Sequence, residues 1–269
     1  MGRPVRPIRR PPISSASRKP PKRQPPSLDP PAPASGAGAR AVIEAAAVAA
    51  GFGVTADHLD RLSQYVEMVA AWSDRLRLTG ARSREDVARV LVARGFDVLP
   101  LVPHAGLLAD LGSGAGVPGL LVALRYPDTH VTLVEAARRK AGFLEVAVRE
   151  LALENVDIVA ARAELLGRSP AHRERYDAVT ARAVADLRVL VEYALPLLRA
   201  GGVALFPKGA AGARQLEAAQ PALCRLGGVA ELRPSSISPG ATIILVRKTA
   251  PTPPDYPRRP GVAERHPIR

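Results

Sequence analysis

The sequence predicts an α/β fold: a seven-stranded, mostly parallel, doubly wound sheet preceded by an N-terminal helical cap. From about residue 106, short apolar runs rich in β-branched residues alternate with helical stretches, which is the pattern of βαβ units. A glycine-rich turn follows the first of these runs, and three helical stretches come before it. We therefore expect a sheet with ligands at the carboxyl ends of its strands.

The composition limits what kind of protein this is. The chain has 269 residues, of which 47% are hydrophobic, so it can bury a sizeable core. No stretch approaches the roughly 18 apolar residues of a membrane-spanning helix, and the first residues lack the apolar core of a secretory signal. Its single cysteine, Cys224, excludes an internal disulfide and is expected in the core on an apolar helix face. These features indicate a cytosolic protein.

The net charge of +13 is concentrated at the two ends of the chain. Residues 1–39 contain eight basic residues and one acidic residue, and residues 247–269 contain six basic and two acidic residues. Residues 40–246, by contrast, contain 24 basic and 22 acidic residues. Eleven prolines in residues 1–35 predict a disordered tail. Such cationic arms can hold phosphate by counterion release, although solvation alone explains the first arm equally well.

These shifts in composition predict four segments. A disordered Pro/Arg-rich tail covers 1–39, a helical cap covers 40–105, the sheet domain covers 106–248, and a Pro/basic tail covers 249–269. The last segment contains too much proline for regular structure.

Capping signals and apolar spacing define the helical cap. An alanine-rich helix over 39–50 ends at Gly51 and Gly53, and Thr55 is placed to cap a second helix. Ser83 with Asp86 resembles the cap of a third helix. Apolar residues recur every three or four positions along the second helix: Leu59, Leu62, Val66, Val69, Trp72 and Leu76.

Seven apolar runs are the candidate strands. Each is short and followed by turn residues or a helical stretch, as expected for a buried parallel sheet. They are LLADLG (107–112), HVTLVE (130–135), VDIVAA (156–161), YDAVTA (176–181), VALF (203–206), VAEL (229–232) and TIILV (242–246).

The segment LLADLGSGAGVPG (107–119) carries the strongest ligand signal. Gly112, Gly114 and Gly116 allow a sharp turn and close approach of the backbone to a ligand, and Pro118 suits the first turn of a helix. The run GAGVPG also matches the dinucleotide fingerprint, so NAD is one candidate. An unliganded βα turn is a further interpretation.

Asp110 favours S-adenosyl-L-methionine as the cofactor. A carboxylate before the glycines attracts the cationic amino acid end of that cofactor and repels a pyrophosphate. Glu135 ends the next strand, where it can accept both ribose hydroxyls. Glu135 serves either cofactor, so Asp110 alone distinguishes them.

Several ordered motifs together resemble the bacterial ribosomal RNA small subunit methyltransferase G family. The resemblance covers roughly residues 55–265 and is carried by DLGSGAGVPG, LVEAARRKAGFLEVAVRELALENV (133–156), ARAE (161–164), YDAVTARAVADL (176–187), LPLLRAGG (195–202), PKG (207–209) and DYPRRPG (255–261). It implies a Rossmann-like class I methyltransferase that uses S-adenosyl-L-methionine to methylate N7 of a guanosine in 16S rRNA of the small ribosomal subunit. We expect a monomer without membrane or metal partners.

The resemblance also implies roles for individual residues. Gly112 and Val117 correspond to cofactor-loop contacts, Ala163 and Glu164 to the segment against the adenine, and Glu135 to the ribose acceptor. With Asp110, Gly114 and Arg182 these form the predicted cofactor site.

Basic residues after the strands are the other candidates. Arg182 and Arg162 correspond to arginines near the active face and are the candidate catalytic residues. Lys208, in a turn with Gly209, and Arg139, in the run 138–140, are candidates for contact with RNA. A hairpin corner and a solvated helix face are the respective structural alternatives.

Two cap segments differ from the family pattern. The first family pattern, W-N-x-x-x-N-L-T, corresponds in this chain to WSDRLRLT (72–79), with Ser73 and Arg77 at the asparagine positions. The second family pattern, R-H-x-x-D-S, corresponds to ARGFDV (93–98), with Arg94 at the histidine position and Asp97 retained. The differences leave open a methyltransferase with another acceptor and a non-catalytic RNA-binding relative; the fingerprint leaves open an NAD-dependent oxidoreductase.

The implied chemistry needs few side chains. Guanine N7 has a free lone pair and no proton to lose, so methyl transfer to it requires alignment of two reactants rather than a general base. The absence of Ser-His-Asp or paired-carboxylate motifs from the sequence agrees with that requirement, and no two histidines have metal-ligand spacing.

Overall fold

The structure is a computed structural model that describes residues 37–269, all of which lie in one compact unit. The sequence-based prediction of a disordered basic tail over 1–39 therefore lies outside the described residues, apart from its last three positions.

A seven-stranded sheet forms the centre of the molecule, as predicted. Its order is β3-β2-β1-β4-β5-β7-β6. Strands β1 to β5 pair with one another in parallel, and β7 is antiparallel to both of its neighbours, β5 and β6. The strands are β1 (Gly106–Leu111), β2 (Thr129–Val134), β3 (Val156–Val159), β4 (Tyr176–Ala181), β5 (Leu198–Lys208), β6 (Gly228–Pro234) and β7 (Thr242–Lys248).

The helices confirm the predicted cap and the alternation with strands. The cap contains α1 (Ala37–Ala49), α2 (Ala56–Leu76), α3 (Arg84–Val87), a π-helical turn (Ala88–Ala93) and a 3-10 helix (Phe96–Leu101). The later helices are α4 (Gly119–Arg125), α5 (Arg138–Glu150), α6 (Ala163–Arg168), α7 (Leu187–Ala194), α8 (Gly212–Leu226) and α9 (Val262–Arg265). Over residues 37–269, no helix has both the length and the apolar character needed to span a membrane.

Both predicted side-chain caps are present. The Thr55 hydroxyl accepts a hydrogen bond from the His58 amide at 3.2 Å, and the Ser83 hydroxyl accepts one from the Asp86 amide at 3.1 Å. Each satisfies an amide that the first turn of a helix leaves without a partner. The sequence did not predict the π-helical turn that follows α3.

Alternating strand residues build two hydrophobic clusters, one on each face of the sheet. Leu108 and Leu133 point to the face that is covered by the cap, α4 and α5. Ala109 and Val134 point to the opposite face, which is covered by α7, α8 and the C-terminal segment. The cap and the chain end therefore pack on opposite sides of one sheet.

Two expectations about the C-terminal half are wrong. The segment after β7 contains helix α9 and is packed on the domain, with Thr252, Ala263 and Ile268 buried; hydrogen bonds from arginines of the domain replace those that proline cannot make. Cys224 is exposed, because α8 turns Ala222 and Leu223 to the sheet, and the next residue falls outside that stripe.

Candidate functional site

The predicted site residues meet at the carboxyl edge of the sheet. The five parallel strands β1 to β5 end there together, and the connections that follow them form one rim. Gly112 follows β1, Glu135 follows β2, and Arg182 follows β4. Such an edge is where open α/β sheets bind their ligands.

The glycine loop is a left-handed turn between β1 and α4. Gly112, Gly114 and Gly116 have φ angles of 62°, 58° and 102°, a region that side chains rarely adopt. A Cβ on Gly112 would also lie 2.6 Å from Val184 Cγ2. Val184 thus fills the space beside Gly112, whereas a Cβ on Gly114 would meet only the Gly112 carbonyl oxygen within 4 Å, at 3.7 Å, so the loop backbone is accessible to a ligand at Gly114.

Asp110 lies beneath the loop with 1% of its surface exposed. Its Oδ1 accepts a hydrogen bond from Thr180 Oγ1 at 2.7 Å, and its Oδ2 accepts one from the Gly119 amide at 3.3 Å. Burial raises the pKa of the carboxyl to about 6, against those hydrogen bonds. The carboxylate thus joins the start of α4 to strand β4, and its attraction for a cationic ligand stays a prediction.

Glu135 connects the glycine loop to the end of β2. Its Oε2 accepts a hydrogen bond from the Gly114 amide at 3.0 Å, and its Oε1 accepts one from the Ala137 amide at 2.7 Å. A carboxylate oxygen accepts two hydrogen bonds, so both oxygens keep capacity for the hydroxyl donors of a ribose.

Two predicted cofactor contacts have buried side chains. Val117 belongs to the cluster on the cap face, and Glu164, in the first turn of α6, accepts a hydrogen bond from the Gly261 amide at 2.9 Å. Ala163, beside Glu164, is partly buried against the other cluster. Contacts from these positions to a ligand would therefore come from the backbone.

Arg182 joins the end of β4 to the helical cap. Its Nη1 donates to the Leu91 carbonyl at 2.8 Å, and its Nη2 donates to the Val90 carbonyl. Burial lowers the pKa of its guanidinium. Both acceptors lie in the π-helical turn, an element that frequently marks functional sites. Arg182 is therefore neither a free surface charge nor part of a surface ion pair.

The other basic candidates differ in how firmly they are held. Lys208 donates to the Ala185 carbonyl at 3.0 Å, and burial lowers the pKa of its ammonium group. Arg139 and Arg162 are exposed. Among the contacts within residues 37–269, neither of these two guanidinium groups has an ion pair or a hydrogen bond.

Sequence reasoning missed Tyr65, a buried residue of α2. Its hydroxyl donates to the Ala115 carbonyl in the glycine loop at 2.7 Å. Tyr65 lies three residues after Leu62 and four before Val69 in the apolar stripe of α2, and this spacing predicts that its side chain is buried. A buried phenol needs a hydrogen-bond partner, so the sequence contained a signal for this contact.

Asp97, the family-pattern residue that this chain retains, accepts hydrogen bonds from the turn between β6 and β7. Its Oδ2 accepts a hydrogen bond from Ser235 Oγ at 2.5 Å, and its Oδ1 accepts others from the Ser236 and Ile237 amides at 2.9 and 3.2 Å. It ties the cap to the turn between β6 and β7, a contact between positions 138 residues apart.

No cluster of three or more metal-ligating side chains occurs within residues 37–269. The site that these residues do form consists of a left-handed backbone turn, two carboxylates that bind backbone amides, and exposed guanidinium groups. Such a site can bind a nucleoside through backbone and hydroxyl contacts and can attract phosphates.

The comparisons with known proteins identify what the chain is similar to. A family model described as rRNA small subunit methyltransferase G matches residues 58–239. The ribosomal RNA small subunit methyltransferase G of Roseiflexus castenholzii is 43% identical over 228 residues, covering 82% of this chain and 97% of that protein. The protein of the same name from Chloroflexus aggregans is 43% identical over 218 residues, covering 77% and 89%. Among solved structures, a predicted O-methyltransferase from Agrobacterium tumefaciens aligns with a TM-score of 0.43 and 23% identity over 54% of this chain and 74% of that chain.

Proposed function

The chain belongs to the rRNA small subunit methyltransferase G family, and from that membership we propose that it methylates N7 of a guanosine in 16S rRNA, with S-adenosyl-L-methionine as the methyl donor. The observation that carries this proposal is the left-handed glycine loop at the carboxyl edge of the parallel sheet. Its substrate implies action in the cytoplasm on the small subunit or its RNA. A monomeric state remains our expectation.

The residues around the loop fit a sulfonium nucleoside better than a dinucleotide. A buried carboxylate, Asp110, lies below the glycines, where a cationic amino acid would gain attraction and a diphosphate would meet repulsion. Glu135 keeps acceptor capacity for ribose hydroxyls, and the first turn of α6 offers backbone groups to an adenine. We therefore assign Gly112, Gly114, Val117, Ala163 and Glu164 to the cofactor through their backbone.

The transfer itself requires alignment and the exclusion of water. When bound, S-adenosyl-L-methionine would supply a methyl carbon on a sulfonium: the N7 lone pair would bond to that carbon in line as the S–C bond breaks, and the sulfur would leave as a neutral thioether. Val184 is 39% exposed and Val90 is 36% exposed, so apolar side chains border the position of Arg182. These residues can shield the reacting atoms from water, and the rate gain comes from proximity. No side chain has to accept a proton.

Arg182 and Arg162 are assigned different tasks in this proposal. Arg182 holds the cap against the cofactor edge through the Leu91 carbonyl and so fixes where a base can enter. Arg162 is exposed at the start of α6 and can contact RNA near the target. Arg139, after β2, and Lys208, the last residue of β5, extend the positive rim, whose charge favours phosphate binding.

Calorimetry tests the cofactor assignment. The chain should bind S-adenosyl-L-methionine and not NAD. Preferential binding of NAD would refute the proposal and favour the oxidoreductase alternative.

Mapping of 16S rRNA tests the acceptor. RNA from a strain that lacks the gene should lose one N7-methylguanosine, detected by mass spectrometry, and the purified protein should restore it on subunits or on RNA. A strain with unchanged guanosine methylation would point to another acceptor, which the differences at Ser73, Arg77 and Arg94 motivate. Cofactor binding without any methyl transfer would favour a non-catalytic relative.

A further inference from the structure

The segment 252–264 packs across α6 and α7, and we call it the C-terminal strap. We infer that this strap positions the adenine-binding turn of α6, so that Arg258 is a positioning residue of the cofactor site. The inference rests on the proposed function, which assigns Ala163 and Glu164 to the adenine. This role differs from the phosphate binding that the basic residues of 247–269 suggest from the sequence alone.

A buried ion pair fastens the middle of the strap to α7. Arg258 Nη2 lies 2.5 Å from Glu192 Oε2, and Arg258 Nε lies 2.9 Å from Glu192 Oε1. The Arg258 amide also donates to Oε1 at 2.9 Å. The Glu192 side chain is 1% exposed, and within residues 37–269 Arg258 is the cation that pairs with it. The bidentate geometry fixes the position of Arg258.

Arginines on the domain bind the strap backbone. Arg173 Nη1 donates to the Tyr256 carbonyl at 2.6 Å, and Arg173 Nη2 donates to the Thr252 carbonyl at 2.9 Å. Arg168, in the last turn of α6, donates from Nε to the Pro257 carbonyl at 2.7 Å. Because proline provides no amide donor, these guanidinium groups supply the contacts that hold the proline-rich chain in place.

The strap contacts α6 at both of its ends. At the first turn, the Gly261 amide donates to Glu164 Oε1 at 2.9 Å. Near the last turn, a Cβ on Gly167 would lie 2.8 Å from Pro257 Cγ, so the missing side chain is what permits the close packing. One strap therefore sets both ends of the helix.

Helix α6 depends on such support because it is short. It has six residues, and no side-chain cap is formed at Arg162. Isolated helices of this length do not persist in water. Besides the burial of Leu166, the strap contacts are what orient the backbone groups of Ala163 and Glu164.

Full-length variants test the inference. Arg258→Met should weaken S-adenosyl-L-methionine binding about tenfold, with an equal loss for adenosine alone because the affected contact is to the adenine. The turnover rate at saturating cofactor should stay unchanged. The matched control is Arg259→Met, which removes the same charge from the exposed neighbour on the strap and should leave both affinities unchanged.

Hydrogen exchange supplies a readout that does not depend on catalysis. Faster exchange over residues 163–168 in Arg258→Met, together with weaker adenosine binding, would support the inference. Faster exchange with unchanged binding, or unchanged exchange and binding, would overturn it. If Arg258→Met fails to fold, the double variant Glu192→Met with Arg258→Met provides the same test, because removing both members of the ion pair leaves no buried charge without a partner.

The failure of this inference and that of the proposed function give different results. Wild-type protein that binds neither S-adenosyl-L-methionine nor adenosine would refute both. Wild-type binding that Arg258→Met leaves intact would refute only the role of the strap.

Discussion

The helical cap contacts the glycine loop, and the C-terminal strap contacts α6 and α7, from opposite faces of the sheet and through different interactions. The cap reaches the glycine loop through a neutral bond, from the Tyr65 hydroxyl to the Ala115 carbonyl. The strap reaches α6 and α7 through buried carboxylates, Glu164 and Glu192. A neutral bond that is lost leaves one dipole without a partner, whereas a broken buried ion pair leaves a charge.

A second neutral contact of the cap involves a residue that differs from the family pattern. Ser73, at a position where the family carries asparagine, donates its hydroxyl to the Val69 carbonyl of its own helix at 2.7 Å and so needs no distant partner. On the strap side, Arg258 and Glu192 have to be kept together. We therefore expect the loss of the Arg258–Glu192 ion pair to cost more stability than the loss of the Tyr65 hydrogen bond, and the following experiments test that ranking.

The largest expected effect is on the glycine loop, which the cap supports. Gly112→Val forces an unfavourable φ and puts a side chain against Val184, so S-adenosyl-L-methionine binding should fall beyond detection by calorimetry. Because Val184 is exposed and can move, the domain should stay folded by circular dichroism. Gly80→Val is the matched control, since a Cβ at Gly80 meets nothing within 4 Å. Retained affinity in Gly112→Val would contradict the loop assignment.

Breaking the ion pair of the strap should cost the most stability. Arg258→Met leaves the Glu192 carboxylate buried without a cation, and the free energy of unfolding should fall by about 3 kcal/mol. Urea denaturation measures the loss. A loss no larger than that of the exposed Arg259→Met variant would show that the strap is not anchored by charge.

Asp110, on the central strand, should give the protein a pH-dependent stability. Its pKa is raised from 3.8 to about 6 in the fold by burial, so the folded protein holds this proton more tightly than the unfolded chain does. Its contribution to stability is therefore largest at low pH and falls by about 2 kcal/mol as the pH rises from about 4 to about 6. Arg182 and Tyr65 are the nearby groups, and neither titrates in that range.

Urea denaturation of the wild type and of Asp110→Asn across this range isolates the effect. The difference in unfolding free energy between the two proteins should change with pH, since only the wild type has the titrating carboxyl. Parallel curves would show that Asp110 keeps an ordinary pKa in the folded protein.

The neutral contact of the cap should be weaker than the charged contact of the strap. Tyr65→Phe removes the hydroxyl that binds the Ala115 carbonyl, and the expected loss is about 1 kcal/mol. The same denaturation experiment measures it. A loss equal to that of Arg258→Met would abolish the distinction between the two faces.

The smallest expected effect is a gain in stability. Arg77 ends α2 in the left-handed region, with φ 53°, which asparagine adopts more readily than arginine. Arg77→Asn, which restores the family residue, should raise the unfolding free energy by about 0.5 kcal/mol. Arg75→Asn, in the last turn of the same helix, is the control and should not stabilise. A loss of stability in Arg77→Asn would contradict the explanation from backbone conformation.

Local patterns were sufficient for the elements of the fold. The seven strands, the caps at Thr55 and Ser83, and the glycine turn at 112–116 follow from periodicity, hydrogen-bonding side chains and the conformational freedom of glycine. Local patterns did not predict α9 or the exposure of Cys224, because both depend on which surface a neighbouring element covers.

The sequence by itself determined the class of the sheet, the place of the glycine loop and the family. These depend on short-range rules that connect residues a few positions apart. Only the tertiary structure decided that Tyr65 supports the loop, that Arg182 binds the cap, and that the chain end holds α6. Those contacts join residues 50 to 97 positions apart, and a buried polar group takes whichever partner the packed sheet brings within hydrogen-bonding distance.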